Sequence, residues 1–329
     1  MFFALLISCS AKKHHEVQRS FYYWRSNLSL SDNSASALRS LHVKKLYVKF
    51  FDVVWNDDKQ LPVPAATLTI DTASIHGIAL VPVVFITNEV MAKITTTEID
   101  SLGQKMLKLV NGIASRYGIQ TGPEIQIDCD WTASTRDKYF ALLRYLRQHL
   151  PSPSVSLSAT IRLHQLKYKK QTGLPPVDKG LLMCYNMGNL QKPNVRNSIF
   201  DVRELNLYID HADDYELPLD VALPIFDWYV WFRGTKFRGL IHSYDLDTGF
   251  QKNLKTNFFK DTVINDYAFG AQDWIRYENS DPEELMKGIQ SVKNRIRSGR
   301  INVVLYHLDD INLKKFTIHE MEALYNGFD

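Results

Sequence analysis

The chain has 329 residues, 45% of them hydrophobic, and a formal net charge of +3. That is enough apolar material for one α/β barrel or two ordinary domains. Lys and Arg are dispersed, with no basic block interleaved with aromatics, which argues against nucleic-acid binding.

Residues 1–8 are almost wholly apolar, and the run stops at Cys9. The run is far too short to span a bilayer as a helix. Leu6-Ile7-Ser8-Cys9 is similar to a bacterial lipobox. The likeness implies signal cleavage before Cys9, lipidation of its thiol, and a membrane anchor on the periplasmic face or surface of a cell envelope. Residues 10–17, with His14 and His15, read as a polar tether. The expected organisation is therefore anchor and tether over 1–20 and one domain over 21–329.

Strand-like apolar runs follow at 21–25, 45–55, 78–86, 124–131, 155–161, 180–187, 219–231 and 301–308. Many are continuous rather than alternating, as in strands buried on both faces. Helical patterns separate most of them, at 34–42, 97–117, 134–150, 201–211, 282–297 and 316–325. In the second of these, Thr97 reads as the N-cap, and Ile99, Leu102, Met106, Val110 and Ile113 recur at helical spacing. The fifth opens with Asp281 as cap and Pro282 in the first turn. Residues 163–176 carry only a weak helical pattern. Eight strands alternating with helices predict a (β/α)8 TIM barrel, whose sites lie at the C-terminal strand ends. Residues 236–267 are too long for a simple loop and read as a hairpin-bearing insertion between strands seven and eight. No Gly-rich nucleotide loop follows the first strand, which removes the commonest use of an open sheet. Cys129 and Cys184 fall on different strands, and no Cys/His ligand spacing occurs. Neither a disulfide framework, a metal site nor a cofactor is expected.

The stretch Ile127-Asp128-Cys129-Asp130-Trp131-Thr132 stands out. Asp128 and Asp130, at i and i+2, share one face of the fourth strand. Two acids side by side are costly to bury unless they are paired or in use. Other polar and aromatic residues fall at strand ends. They are Asp52 and Trp55, Thr160 and Arg162, Tyr185 and Asn186, Asp227, Trp228 and Trp231, then Tyr306, His307, Asp309 and Asp310. Acids and flat rings converging on one mouth suit a carbohydrate ligand.

Ile127–Trp131 resembles the Ile-Asp-x-Asp-Trp core of the family 18 glycoside hydrolases, the chitinase family. Met183-Cys184-Tyr185-Asn186 resembles that family's sixth-strand motif, and Val303-Val304-Leu305-Tyr306 its closing strand, with Tyr306 in place of a Trp. The resemblance implies that Asp130 orients a substrate acetamido group, that Asp128 supports it, and that Tyr185 contacts the same group. It puts Thr132 at the position of the catalytic Glu. A Thr hydroxyl cannot supply general-acid catalysis, which is worth about 10²–10⁴-fold. The chain also resembles a family of bacterial barrel proteins with an Asp-x-Asp strand and a Tyr-rich helix, here Tyr139 and Tyr145. That second likeness implies a barrel and no activity.

Three readings stand at this point. The first is a lipid-anchored barrel that binds carbohydrate through Asp128, Trp131, Tyr185, Asn186, Trp228 and Tyr306 without the family's acid. The second is an active glycoside hydrolase using Asp130 and Asp227 at the ends of strands four and seven. The third is an envelope scaffold in which the Asp pair is simply hydrogen-bonded.

Overall fold

The computed structural model describes residues 15–246 and 255–329; Cys9 and His14 lie outside them. Eight parallel strands close into a barrel: β1 (Glu16–Tyr23), β2 (Lys45–Asn56), β3 (Ala79–Ile86), β4 (Glu124–Cys129), β5 (Ser156–Arg162), β6 (Lys179–Met183), β7 (Leu219–Pro224) and β8 (Arg300–Tyr306). β1 pairs with β8, Glu16 opposite Arg300, and with β2, Ser20 opposite Lys45, so no barrel edge is left open. The helices α1 (Asp32–Ser40), α2 (Ile99–Arg116), α3 (Arg136–Gln148), α4 (Val202–Ile209), α5 (Pro282–Arg295) and α6 (Ile318–Asn326) lie in the connections and at the C-terminus. This is the TIM barrel that the strand count predicts.

Strand alternation divides the core in two. Residues facing out, such as Leu46, Ile127 and Val303, pack with helix residues such as Leu38, Val110 and Leu143. Residues facing in, such as Tyr22, Tyr47, Val83, Leu181, Ala222 and Val304, fill the lumen. The caps are local. Asp281 accepts from the Glu284 N–H with Pro282 in the first turn of α5. Ahead of α2 the cap is Thr95 rather than Thr97: its N–H donates to the Glu98 carboxylate across a 3₁₀ turn, Thr96–Glu98.

Three expected boundaries move. β1 starts at Glu16, not at 21. His15 is buried rather than solvated, its ring nitrogens 2.5 and 3.2 Å from the Ser298 and Lys293 carbonyls. The apolar run 219–231 is two strands, not one. β7 ends at Pro224, which has no N–H to continue a ladder. Asp227–Arg233 then runs antiparallel to Lys236–His242 and Asp273–Asn279, with Lys255–Asn257 beside the latter. The insertion thus begins at Asp227, well before 236, and has its own core around Tyr229, Ile241, Phe258 and Ile275. Residues 163–176 contain two short helices, Leu163–Lys167 and Lys169–Thr172.

Gly180, at the start of β6, is the tightest point between neighbouring strands. A Cβ there would lie 2.7 Å from Ile161 Cγ1 and 3.0 Å from Leu219 Cδ2. Gly180→Ala is expected to lower unfolding free energy by about 1–3 kcal/mol through overpacking. Denaturant midpoints of the two proteins measure it; equal midpoints would mean the sheet yields freely there.

Candidate functional site

β4 and β5 carry a ladder of polar side chains facing one another. Gln126 lies opposite Ser158 in the register, and period two then places Asp128 beside Thr160 and Asp130 beside Arg162. Each pair is bonded. Ser158 Oγ donates to Glu124 Oε1 at 2.7 Å, and Gln126 Nε2 to Ser158 Oγ at 3.3 Å. Thr160 Oγ1 donates to Asp128 Oδ1 at 2.6 Å. Arg162 forks onto Asp130, with Nε to Oδ1 at 2.5 Å and Nη2 to Oδ2 at 2.9 Å.

The two aspartates differ in exposure and hence in chemistry. Asp128 is buried, and its carboxyl is pushed up to about 6. Burial is the main cause, followed by the Asp130 charge, with Arg162 and the Thr160 bond opposing. Asp130 keeps a side-chain exposure of 44% while held by the guanidinium. Arg162 is the partner of Asp130 that reading the Asp pair alone does not assign. Its position two residues beyond Thr160 on the adjacent strand is the signal that identifies it.

The structure corrects the place of Trp131. Its side chain is 0% exposed, stacked on Tyr139 at 5.1 Å, and its indole N–H donates to the Thr172 carbonyl at 2.8 Å. It is core between the barrel and α3, not a sugar platform. Thr132 is exposed at the start of the turn into α3. Its N–H donates to Thr135 Oγ1 at 2.9 Å, and its carbonyl accepts from Arg136 N at 2.9 Å.

The barrel mouth forms a cavity of about 440 Å³. Trp24, Phe226, Trp228 and Tyr306 give it aromatic walls, and Asn186, Asp227 and His307 polar ones. Tyr306 is the hub: Tyr185 stacks on it at 5.1 Å, while Tyr22 and Phe226 lie at 5.7 Å and Trp24 at 5.9 Å. Tyr185 itself is 2% exposed and supports Tyr306 from behind the wall. Its hydroxyl has no hydrogen-bond partner among the described residues. Asn186 is exposed at φ 54°, and Trp228 donates its indole N–H to Glu278 at 2.7 Å. Trp24, the residue directly after β1, joins the mouth although the sequence reading drew no candidate from the first strand.

Asp227 lies on the insertion sheet rather than at the end of β7. It is buried, accepts from Tyr277 Oη at 2.7 Å, and is paired with Lys315. Asp130 and Asp227 are therefore each held by a cation of their own. Asp130 is not part of the mouth-cavity wall, whereas Asp227 is. His307 faces Asp309 at 3.2 Å, with burial pushing the imidazole below its usual range.

No family model matches the sequence, and no curated protein matches it. Solved structures do match in fold. The spore cortex-lytic enzyme SleL of Bacillus cereus aligns with 96% of this chain and 75% of its own, at 15% identity and TM-score 0.58. A chitinase from Chromobacterium violaceum aligns with 94% of this chain and 98% of its own, at 11% identity and TM-score 0.57. A Group II chitinase catalytic domain of Ostrinia furnacalis, solved with penta-N-acetylchitooctaose, aligns with 94% and 95%, at 12% identity and TM-score 0.54. The fold is a chitinase-like TIM barrel.

The raised Asp128 carboxyl makes a signed prediction. A group whose folded pKa is raised stabilises the protein below its unfolded pKa and loses that contribution as pH rises through about 6. Asn at this position cannot ionise. The stability of wild type relative to Asp128→Asn is expected to fall by about 2.4 kcal/mol between pH 4 and pH 8. Parallel denaturation curves at the two pH values test it, and a constant difference would contradict the neutral-acid assignment.

Proposed function

We propose that this protein is a glycoside-hydrolase-like barrel that binds a carbohydrate at its C-terminal mouth without chitinase-type hydrolysis. The observation that carries the reading is the pairing of a missing acid with a clamped one. Thr132 stands at the acid position and belongs to a helix-starting turn, while Asp130 is gripped by Arg162. Thr132 has no acidic proton to deliver to a leaving oxygen, and both oxygens of Asp130 are engaged by the guanidinium. The mouth nevertheless keeps half-buried aromatic rings beside hydrogen-bonding groups, the surface that a pyranose requires. The similar solved folds support the ligand class, since they are named as chitinases and a cortex-lytic enzyme, and one holds a chito-oligosaccharide.

The same proposal places the protein at a bacterial envelope membrane through lipidated Cys9, supported by Leu6-Ile7-Ser8-Cys9 in the sequence. The full-length chain produced in a bacterial host is expected in the membrane fraction, and Cys9→Ser in the soluble fraction. An unchanged distribution would remove the anchor.

Calorimetric titration with chito-oligosaccharides and neutral glycans tests the mouth. Wild type is expected to bind at least one, and Tyr306→Ala or Trp24→Ala to bind about tenfold more weakly, from loss of ring contacts worth about 1 kcal/mol or more. No reducing ends should appear on prolonged incubation. Release abolished in both Asp130→Asn and Asp227→Asn would instead establish a hydrolase. No binding to any glycan would leave a scaffold.

A further inference from the structure

The opposite end of the barrel, where the strands begin, holds a second cavity of about 760 Å³. Its floor is a row of alternating charges. Lys45 Nζ lies 3.9 Å from Glu124 Oε2, Lys179 Nζ lies 2.9 Å from the same oxygen, and Lys179 also reaches Asp220 Oδ2 at 2.7 Å. Asn302 donates to Asp220, and its buried Oδ1 has no partner among the described residues. Glu124 is already engaged by Tyr47 and Ser158, so it is the less able to satisfy Lys45. Burial lowers the Lys45 ammonium, with the Glu124 charge only partly offsetting it.

The rim adds cations. Lys44 is exposed and has no ion-pair partner among the described residues. Arg300 lines the same cavity and pairs with the exposed Glu16 at 2.9 Å; Arg19 lines it too, but its guanidinium is turned to Glu322 at 3.6 Å, the Leu41 carbonyl and Asn326. Such surface pairs are worth about 0–1 kcal/mol and neutralise little. The cavity therefore has an excess of positive charge and, in Lys45, a half-buried ammonium with only a distant, shared carboxylate, which together suit an anion.

The chain's own path says which anion. His15 is buried at this end of the barrel, between the Ser298 and Lys293 carbonyls. Its N–H reaches the Phe328 carbonyl at 3.3 Å, and β1 starts at the next residue. Cys9 is six residues before His15, a reach of at most about 22 Å even when fully extended. An acyl group on Cys9 thus keeps this end of the barrel, and not the mouth, close to the bilayer. Basic side chains near an anionic leaflet gain about 1 kcal/mol each.

We propose that this cavity binds the phosphate headgroup of an anionic phospholipid, so that the barrel stands on its N-terminal end with the glycan mouth turned away from the membrane. The choice of a lipid over a free phosphate rests on the anchor reading; the anion site does not. The test uses full-length Cys9→Ser protein, which carries no acyl chain, so its outcome is independent of whether lipidation occurs. Co-sedimentation with phosphatidylcholine vesicles, with and without phosphatidylglycerol, is the assay. Phosphatidylglycerol is expected to raise binding about tenfold or more, reversibly in high salt. Lys44→Gln and Lys45→Met should each weaken it about fivefold, with Lys45→Arg retaining it. Circular dichroism and the melting temperature report whether each variant is folded. Equal binding to both vesicles would overturn the proposal. So would sensitivity to Lys44→Gln but not to Lys45→Met, which would mark a diffuse surface charge. Displacement by inorganic phosphate at matched ionic strength would assign the cavity to the free ion.

Discussion

The structure depends on one constraint: a closed barrel points every second strand residue into a lumen that water barely enters. Any charge placed there has to be paired or hydrogen-bonded by a neighbour on the wall. The β4–β5 ladder meets that demand rung by rung. Glu124 has Ser158, Asp128 has Thr160, and Asp130 has the fork of Arg162. The middle of the lumen is apolar and aromatic, with Tyr22 and Tyr47 bridging to the ladder through Gln126 and Glu124. The polar rungs thus sort to the two ends of the barrel, and both cavities open beside them.

That sorting separates the two ends by chemistry. At the mouth, rings predominate: Tyr306 gathers Tyr22, Trp24, Tyr185 and Phe226 around itself. At the opposite end, charged side chains predominate, with Lys45, Lys179, Glu124 and Asp220 in one row. Rings suit the faces of a sugar, and ammonium groups suit an anion. One sequence period produces both, because residues two apart climb the same wall from one end to the other.

The barrel was legible in the sequence because both faces of its strands are buried, which leaves continuous apolar runs. The Asp128–Asp130 pair was legible for the opposite reason, since acids interrupt such a run. What escaped was three-dimensional. Trp131 looks like a rim aromatic by position, yet alternation turns it outward onto Tyr139, where its area is spent on packing. Pro224 splits a run that hydrophobicity alone joins, and so carries Asp227 off the barrel. The partner of Asp130 lies 32 residues away in sequence and becomes visible only once the register of β4 and β5 is fixed.

The Arg162 fork also decides what Asp130 can still do. Each carboxylate oxygen accepts one charge-assisted bond from the guanidinium. Each oxygen retains lone-pair capacity, and nearly half of the side chain is open to solvent. A carboxylate held in one orientation with spare acceptors is well placed to receive a ligand's N–H or O–H. The clamp therefore fixes the orientation of the carboxylate and leaves acceptor capacity on its open side, with Thr132 adding no titratable group beside it.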